Sequence, residues 1–254
     1  MTSVTMRRVF LFGATICFAV STMADDLADV EKKIHEKAKS IKSVQAKVKT
    51  VTDMSMEGYK MQGESIGEYQ MMKNAAGKMM MRMETKDKNK TEVAGQTNET
   101  EGTNLMISDG EFTYSLSDIN GVKTASKAAQ GDWDQMPFTG YREQYTIKQL
   151  PDEKVDGAAA WVFEMTPKEN VGAMAGSKMV ISFHQESGMP IKTVSYNAEG
   201  KPQLTMTMTD IKLNDNISAD RFVFKAPPGV EVMDYSNMQN QTEWQQNVSE
   251  DDDQ

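Results

Sequence analysis

The chain has 254 residues, a formal net charge of -9 at pH 7, 22 methionines and one cysteine. A surface this acidic repels phosphate, which argues against nucleic acid as a partner and against unaided adhesion to anionic lipid headgroups. Cys17 falls inside the leading apolar run, so once that run is removed neither a disulfide nor thiolate chemistry remains possible.

Residues 1–24, MTSVTMRRVFLFGATICFAVSTMA, combine two arginines, an apolar run from Val9 to Val20 and a small-residue exit. They predict a secretory signal cleaved after Ala24, too short in its apolar run to span a membrane. RRVFL also approximates a twin-arginine export motif, but no cofactor motif is present to require export in the folded state. Ile16 stands where a lipid-attachment signal wants a small residue, which argues against lipidation of Cys17. Residues 25–235 are long enough for one all-β domain, and 236–254 read as a disordered acidic tail.

From residue 25, Leu27, Val30, Ile34, Ala38, Ile41, Val44 and Val48 recur at spacings of three and four. That spacing predicts an amphipathic helix with Asp25 and Asp26 at its N-terminus, lysine and glutamate on its water side, and a change of period after Val48. GEYQMMKNAAGKMMMRMETK then predicts a hairpin turning at Asn74–Gly77. Its second run sets Met79, Met81 and Met83 on one face and Met80, Arg82 and Glu84 on the other. The polar stretch 87–104 predicts a mobile loop. Two strands follow about an Asp109–Gly110 turn. Residues 132–150 have no clear period and predict one or two short helices. Alternating strands continue to residue 235, with turns at Ser187–Gly188, Glu199–Gly200 and Pro227–Gly229. The predicted architecture is a helix laid on a long antiparallel meander.

Catalytic chemistry finds little to use. His35 falls on the polar side of the helix, and His184 alternates outward from Ile181 and Phe183, so both are expected at the surface. No nucleophile-elbow, zinc-protease, phosphate-loop or dinucleotide pattern is present, and the prediction is a non-enzymatic protein without a cofactor. The methionines leave three readings open: plain core packing, an adaptable apolar cavity, or thioether ligation of Cu(I), for which Met206 and Met208 form an i, i+2 pair.

The C-terminal run ISFHQESGMPIKTVSYNAEGKPQLTMTMTDIKLNDNISADRFVFKAPPGVEVMD resembles the end of the family of the periplasmic lipoprotein carrier LolA and its outer-membrane lipoprotein-sorting relatives. The shared pattern is strand, Gly188–Pro190 turn, strand, acidic-Gly turn, strand, then Asn214, Phe222, Phe224 and the closing PPGVEVMD. IKSVQAKVKTVT at 41–52 and LMISDGEFTYSLSD at 105–118 also match the family, so the resemblance covers most of residues 27–235. It implies a mainly β, α+β fold: an unclosed, strongly curved antiparallel half-barrel, with the N-terminal helix and a short helical insertion as a lid over an apolar cavity. It also implies a monomeric carrier of lipidated protein or other lipid, passing cargo from an inner-membrane donor to an outer-membrane acceptor. A sensor or partner-binding role on the same fold is the alternative, and a methionine-rich copper protein the third.

The cavity candidates are Ile34, Ala38 and Ile41 on the helix, and Tyr69, Met71, Met79, Met81, Met83, Phe163, Met165, Met179, Ile181, Phe183, Leu204, Met206 and Met208 on strands. The family's lid-contacting basic residue corresponds to Lys73, although the neighbouring proline is missing and the 87–104 loop is longer than expected.

Overall fold

The protein is seen here in a computed structural model that describes residues 27–131, 137–168 and 178–237. The predicted signal segment, and the predicted tail beyond residue 237, lie outside these residues. Helix α1 (Leu27–Ser40) is followed by β1 (Ser43–Met56), β2 (Tyr59–Lys73), β3 (Met79–Val93), β4 (Gln96–Ser108), β5 (Phe112–Ile119) and β6 (Val122–Ala129). Then come β7 (Tyr145–Val155), β8 (Ala158–Pro167), β9 (Met179–His184), β10 (Pro190–Tyr196), β11 (Pro202–Leu213), a 3₁₀ turn (Ala219–Phe222) and β12 (Val232–Asp234).

In α1, Val30 and Ile34 are buried, Asp29 lies in the first turn and Lys37 and Lys39 in the last, as the helix dipole favours. The helix stops at Ser40, whose hydroxyl donates to the Lys37 carbonyl at 2.7 Å. It does not continue to Val48 as the apolar spacing predicts. Val44, Ala46 and Val48 are buried at alternate positions of β1. A spacing of four is a multiple of two, so Val44 and Val48 satisfy a strand as well as a helix. The sheet decides between them: Lys42 N–H donates to Asn214 Oδ1 at 2.8 Å and the Ser43 hydroxyl to the Asp215 carbonyl at 2.5 Å, tying the start of β1 to the end of β11.

The twelve strands among the described residues form one sheet in the order β12-β6-β5-β4-β3-β2-β1-β11-β10-β9-β8-β7. It is two antiparallel meanders, β1–β6 and β7–β11, joined where β1 pairs with β11. It is therefore not the single meander that the sequence predicts. β12 adds in parallel to β6, and β12 and β7 remain the two ends of an unclosed sheet.

The predicted mobile loop at 87–104 is instead the continuation of β3 and β4 around an Ala94–Gly95 turn, both residues having positive φ. Opposite charges stand across from one another there, Lys88 on Glu101 at 2.8 Å and Lys90 on Glu99 at 3.5 Å. Polar composition masked a strand pair whose complementarity is visible only once the register is known. Likewise, residues 137–144 form turns and not a regular helix, with i→i+4 hydrogen bonds from Arg142 N–H to the Phe138 carbonyl (3.1 Å) and from Tyr145 N–H to the Tyr141 carbonyl (2.8 Å).

Curvature has a sequence cause. On β2 and β4, Gly63, Gly67 and Gly102 point to the same face of the sheet. A Cβ on Gly67 would lie 1.9 Å from the Glu84 carbonyl oxygen, and one on Gly102 would lie 2.6 Å from that of Asp118. The neighbouring backbone occupies the space a side chain would need, so the sheet curls toward this inner face only because these positions carry none.

The connection from β11 to β12 crosses the outer face. Ile217 and Phe222 bury against Met72 and Met80, and Phe224 stacks on Tyr114 of β5 with centroids 4.9 Å apart and planes 8° apart.

The helix is seated on the β9–β10 turn. A Cβ on Gly188 would sit 2.1 Å from the Ile34 carbonyl oxygen and 2.9 Å from the Ala38 nitrogen, and Gly188 itself has φ +70°. Gly58 has φ +73° with nothing within 4 Å, so it isolates the conformational cost. Gly58→Ala is expected to lower unfolding free energy by about 1 kcal/mol. Gly188→Ala should lower it by about 3 kcal/mol, with faster amide exchange in α1. Equal losses in denaturant titrations would show that the helix does not rest on this turn.

Candidate functional site

Following the register across the sheet places the methionines. Met71 stands opposite Met81, Met83 opposite both Tyr69 and Met106, Met79 opposite Lys73, Met208 opposite Val48 and Met206 opposite Thr50. Met206 also faces Thr193, Thr193 faces Ile181, and Ile181 faces Phe163, with Met165 opposite Met179. Every strand residue of the predicted cavity set therefore shares the inner face, while Met72 and Met80 point the other way under the outer connection.

That face holds two clusters. The first comprises Ile41, Val44, Ala46, Tyr69, Met71, Met81, Met189, Ile191 and Met208, joined by Val155 and Ala160. Met79, Met83, Met106 and Met206 pack at its margin, only partly buried. Burial raises the Tyr69 phenol above its ordinary pKa range. The second cluster lies under α1 and joins Val30 and Ile34 to Phe138, Tyr145, Phe163, Met165, Ile181 and Phe183, with Met179 at its edge. Phe138, Phe163 and Phe183 meet edge-on, with centroids 5.0 to 5.8 Å apart, a geometry worth about 0.5–1.5 kcal/mol per pair beyond area burial. β8 is apolar on both faces: Ala160 and Phe163, of opposite parity, are both 0% exposed.

Two predicted members stand apart from these clusters. Ala38 lies with its backbone over the Gly188 turn, and Leu204, opposite Thr52, is partly buried. Phe138, fully buried against the helix, was not among the predicted members. It sits in the stretch without a readable period, where aromatics at 133, 138, 141 and 145 give no local signal of which are buried.

Polar contacts fix α1 over the face. Glu31, on the side of the helix predicted to meet water, is only 3% exposed and pairs with Arg142 from the 137–144 turns. Lys168 Nζ donates to the Arg142 carbonyl at 2.8 Å. Lys73 Nζ donates to the Lys39 carbonyl at 2.6 Å in the last helical turn, where free carbonyls and the dipole favour a cation.

The apolar floor does not run the length of the sheet. Beyond Tyr69, Met83 and Met106, the inner face turns to Gly63, Ser65 and Gly67 on β2, Thr85 and Asp87 on β3, and Gly102 and Asn104 on β4. Asp87 is 9% exposed and accepts a short hydrogen bond from the Asn104 amide. The apolar zone therefore ends at a polar belt roughly midway along these strands.

His184 corrects the expectation of a surface histidine. It is 7% exposed, and its Nδ1 shares a 3.0 Å hydrogen bond with the Ser187 hydroxyl at the β9–β10 turn. The turn curls back on the strand, so outward parity no longer means exposure. A recess of about 530 Å³ beside it is lined by Val155, Asp156, His184, Glu186, Met208 and Asp210 among others. Burial lowers the imidazole pKa, opposed by the Glu186 charge. Among the described residues, no group of three or more His, Cys, Asp or Glu is placed to hold a metal ion.

No protein-family model and no curated protein matches the chain. Solved structures with a similar fold include MucB, at 15% identity and a TM-score of 0.49, covering 82% of this chain and 65% of MucB. The chain thus spans just under two thirds of MucB, which has also been solved in complex with MucA. An outer-membrane lipoprotein-sorting protein domain from Vibrio parahaemolyticus matches at 12% identity and a TM-score of 0.32, covering 76% of this chain and 94% of that one. A LolA superfamily protein from Nitrosomonas europaea matches at 17% identity and a TM-score of 0.26, covering 76% and 97%.

His184 yields a pH prediction. Its folded pKa lies below its unfolded value near 6.5, so as pH falls from 7 to 5 the unfolded chain binds the proton first and stability drops. The unfolding free energy of the wild type minus that of His184→Gln should therefore decrease over this range, with His35 cancelling because it is present in both. A difference independent of pH would refute the assignment.

Proposed function

We propose that this chain is an exported, non-enzymatic carrier that holds the acyl chains of a lipoprotein, or of another lipid, against the methionine floor of the inner face. The observation that carries this reading is the margin of that floor. Met79, Met83, Met106 and Met206 are packed on one side and open on the other. Methionine is unbranched and polarizable, so such a margin repacks around guests of varied shape at little cost. An acyl chain gains about 0.8 kcal/mol for each buried CH₂, so apolar area alone supplies the affinity. α1, held by Glu31, Lys73 and the Gly188 turn, is the element that covers the guest, and the polar belt at Asp87 and Asn104 sets the limit of the apolar zone. The residues assigned to the guest are the predicted set from Tyr69 to Met208 together with Phe138, with Ile34 and Ile41 on the helix side.

A second reading, a lipid-responsive module that binds a protein partner, is supported by β7. Among the described residues this eleven-residue strand is an end of the sheet, and an extended segment of another protein adds to such an edge through main-chain hydrogen bonds. The acidic, exported chain suits a periplasmic setting for either role.

Native mass spectrometry of protein purified from its source, with lipid extraction, tests the carrier. Bound acyl chains or lipoprotein are expected. Replacing both Met83 and Met106 by Gln should weaken binding of a fluorescent fatty acid roughly tenfold, the equivalent of about 1.4 kcal/mol, with little change in melting because both residues are already partly exposed. Unchanged affinity would move the guest off this floor.

A further inference from the structure

The methionine face has a second, separate part. At the far end of the β1–β2 hairpin, beyond the polar belt, Met54 stands directly opposite Met61, and Met56 follows two residues on along the same face. The turn between the strands is Glu57–Gly58, with Gly58 at φ +73°. These three methionines belong to none of the three apolar clusters, and Met56 is 61% exposed. Packing into the floor, as at Met71, Met81 and Met208, does not account for these. Met54 and Met61 are partly buried and Met56 is exposed, and threonine would serve such strand positions beside a turn as well.

We infer that Met54, Met56 and Met61 form a three-thioether site for a soft monovalent cation, Cu(I) or its analogue Ag(I). Directly opposed strand residues hold their Cβ atoms about 4.5–5.5 Å apart, and i, i+2 residues project from one face. Methionine's three rotatable bonds let the three sulfurs converge above the Met54–Met61 pair without backbone movement. Thioether sulfur selects Cu(I) over Zn, Mg and Ca, which prefer nitrogen or oxygen. Tyr59, opposite Met56, donates its hydroxyl to Met61 Sδ at 3.4 Å. That contact turns the Met61 sulfur toward the end of the hairpin where Met56 lies. It is a weak bond to a neutral acceptor, easily exchanged for a metal. No side chain of this site belongs to the acyl-binding floor, so the two assignments stand or fall separately.

The test uses Ag(I), which needs no reductant, followed by Cu(I) with ascorbate. Isothermal titration of the purified protein should give one tight equivalent. In ¹³C-methyl-methionine spectra the methyl signals of Met54, Met56 and Met61 should move together at that equivalent. The triple variant Met54→Leu, Met56→Leu, Met61→Leu should lose the equivalent while keeping its melting curve and its fatty-acid binding, and a Met206→Leu, Met208→Leu variant should keep it. Absence of a one-to-one complex, or an equivalent that survives the triple substitution, would overturn the site. So would methyl shifts confined to the floor methionines, a readout of the wild type that does not depend on any variant folding.

Discussion

The seating of α1 on the sheet is the contact on which the rest of the structure depends. The helix backbone rests on Gly188 so closely that even one methyl group there would meet the Ile34 carbonyl. Main chain against main chain gives the shortest approach two elements can make, and it brings Val30 and Ile34 down onto Phe138, Phe163 and Phe183. Each of these aliphatic side chains gains about 1.5–3 kcal/mol on full burial. The ion pair of Glu31 with Arg142 and the Lys73 bond to the helix end then fix how the helix lies, adding direction where the apolar contacts supply most of the energy.

Curvature and composition of the inner face are coupled. Glycines on β2 and β4 let the strands bend over that face, and the same rows carry Thr85, Asp87 and Asn104. At Gly67 and Gly102 there is no room for a side chain, and the apolar floor with its methionines lies on the α1 side of this polar belt. Two apolar regions result on one continuous surface. One is packed, and the other is an exposed hairpin tip. Identical residue types thus stand in different surroundings, packed at the floor and partly open at the hairpin tip.

The outer face is also organised. The β11–β12 connection buries Ile217 and Phe222 against Met72 and Met80, stacks Phe224 on Tyr114, and ends by pairing β12 with β6. An open sheet has two edges; this connection places the three-residue β12 along β6 at one of them, and among the described residues β7 is the other. The outer strap therefore stiffens the meander β1–β6, while the half made of β7–β11 is held chiefly by α1 and the aromatic cluster.

Local periodicity determined much on its own: the alternation of Met79, Met81 and Met83, the hairpin turns at Asn74–Gly77 and Asp109–Gly110, the strands near the C-terminus, and the parity of every strand residue assigned to the cavity. These follow from a two-residue repeat and from turn chemistry, both written within a few positions. Tertiary structure decided what depends on distant partners. Val44 and Val48 became strand because β11 and β2 pair with β1, and residues 87–104 became strand because β3 pairs with β2 along its whole length and with β4 from Met81 onward. His184 and Glu31 were buried by a turn and a neighbouring segment remote in sequence. Phe138 found Phe163 and Phe183, and Met54, Met56 and Met61 were set apart from the floor by a belt that only the register reveals. Parity along one strand is local, but which neighbour covers a face is fixed only when the whole sheet has curled.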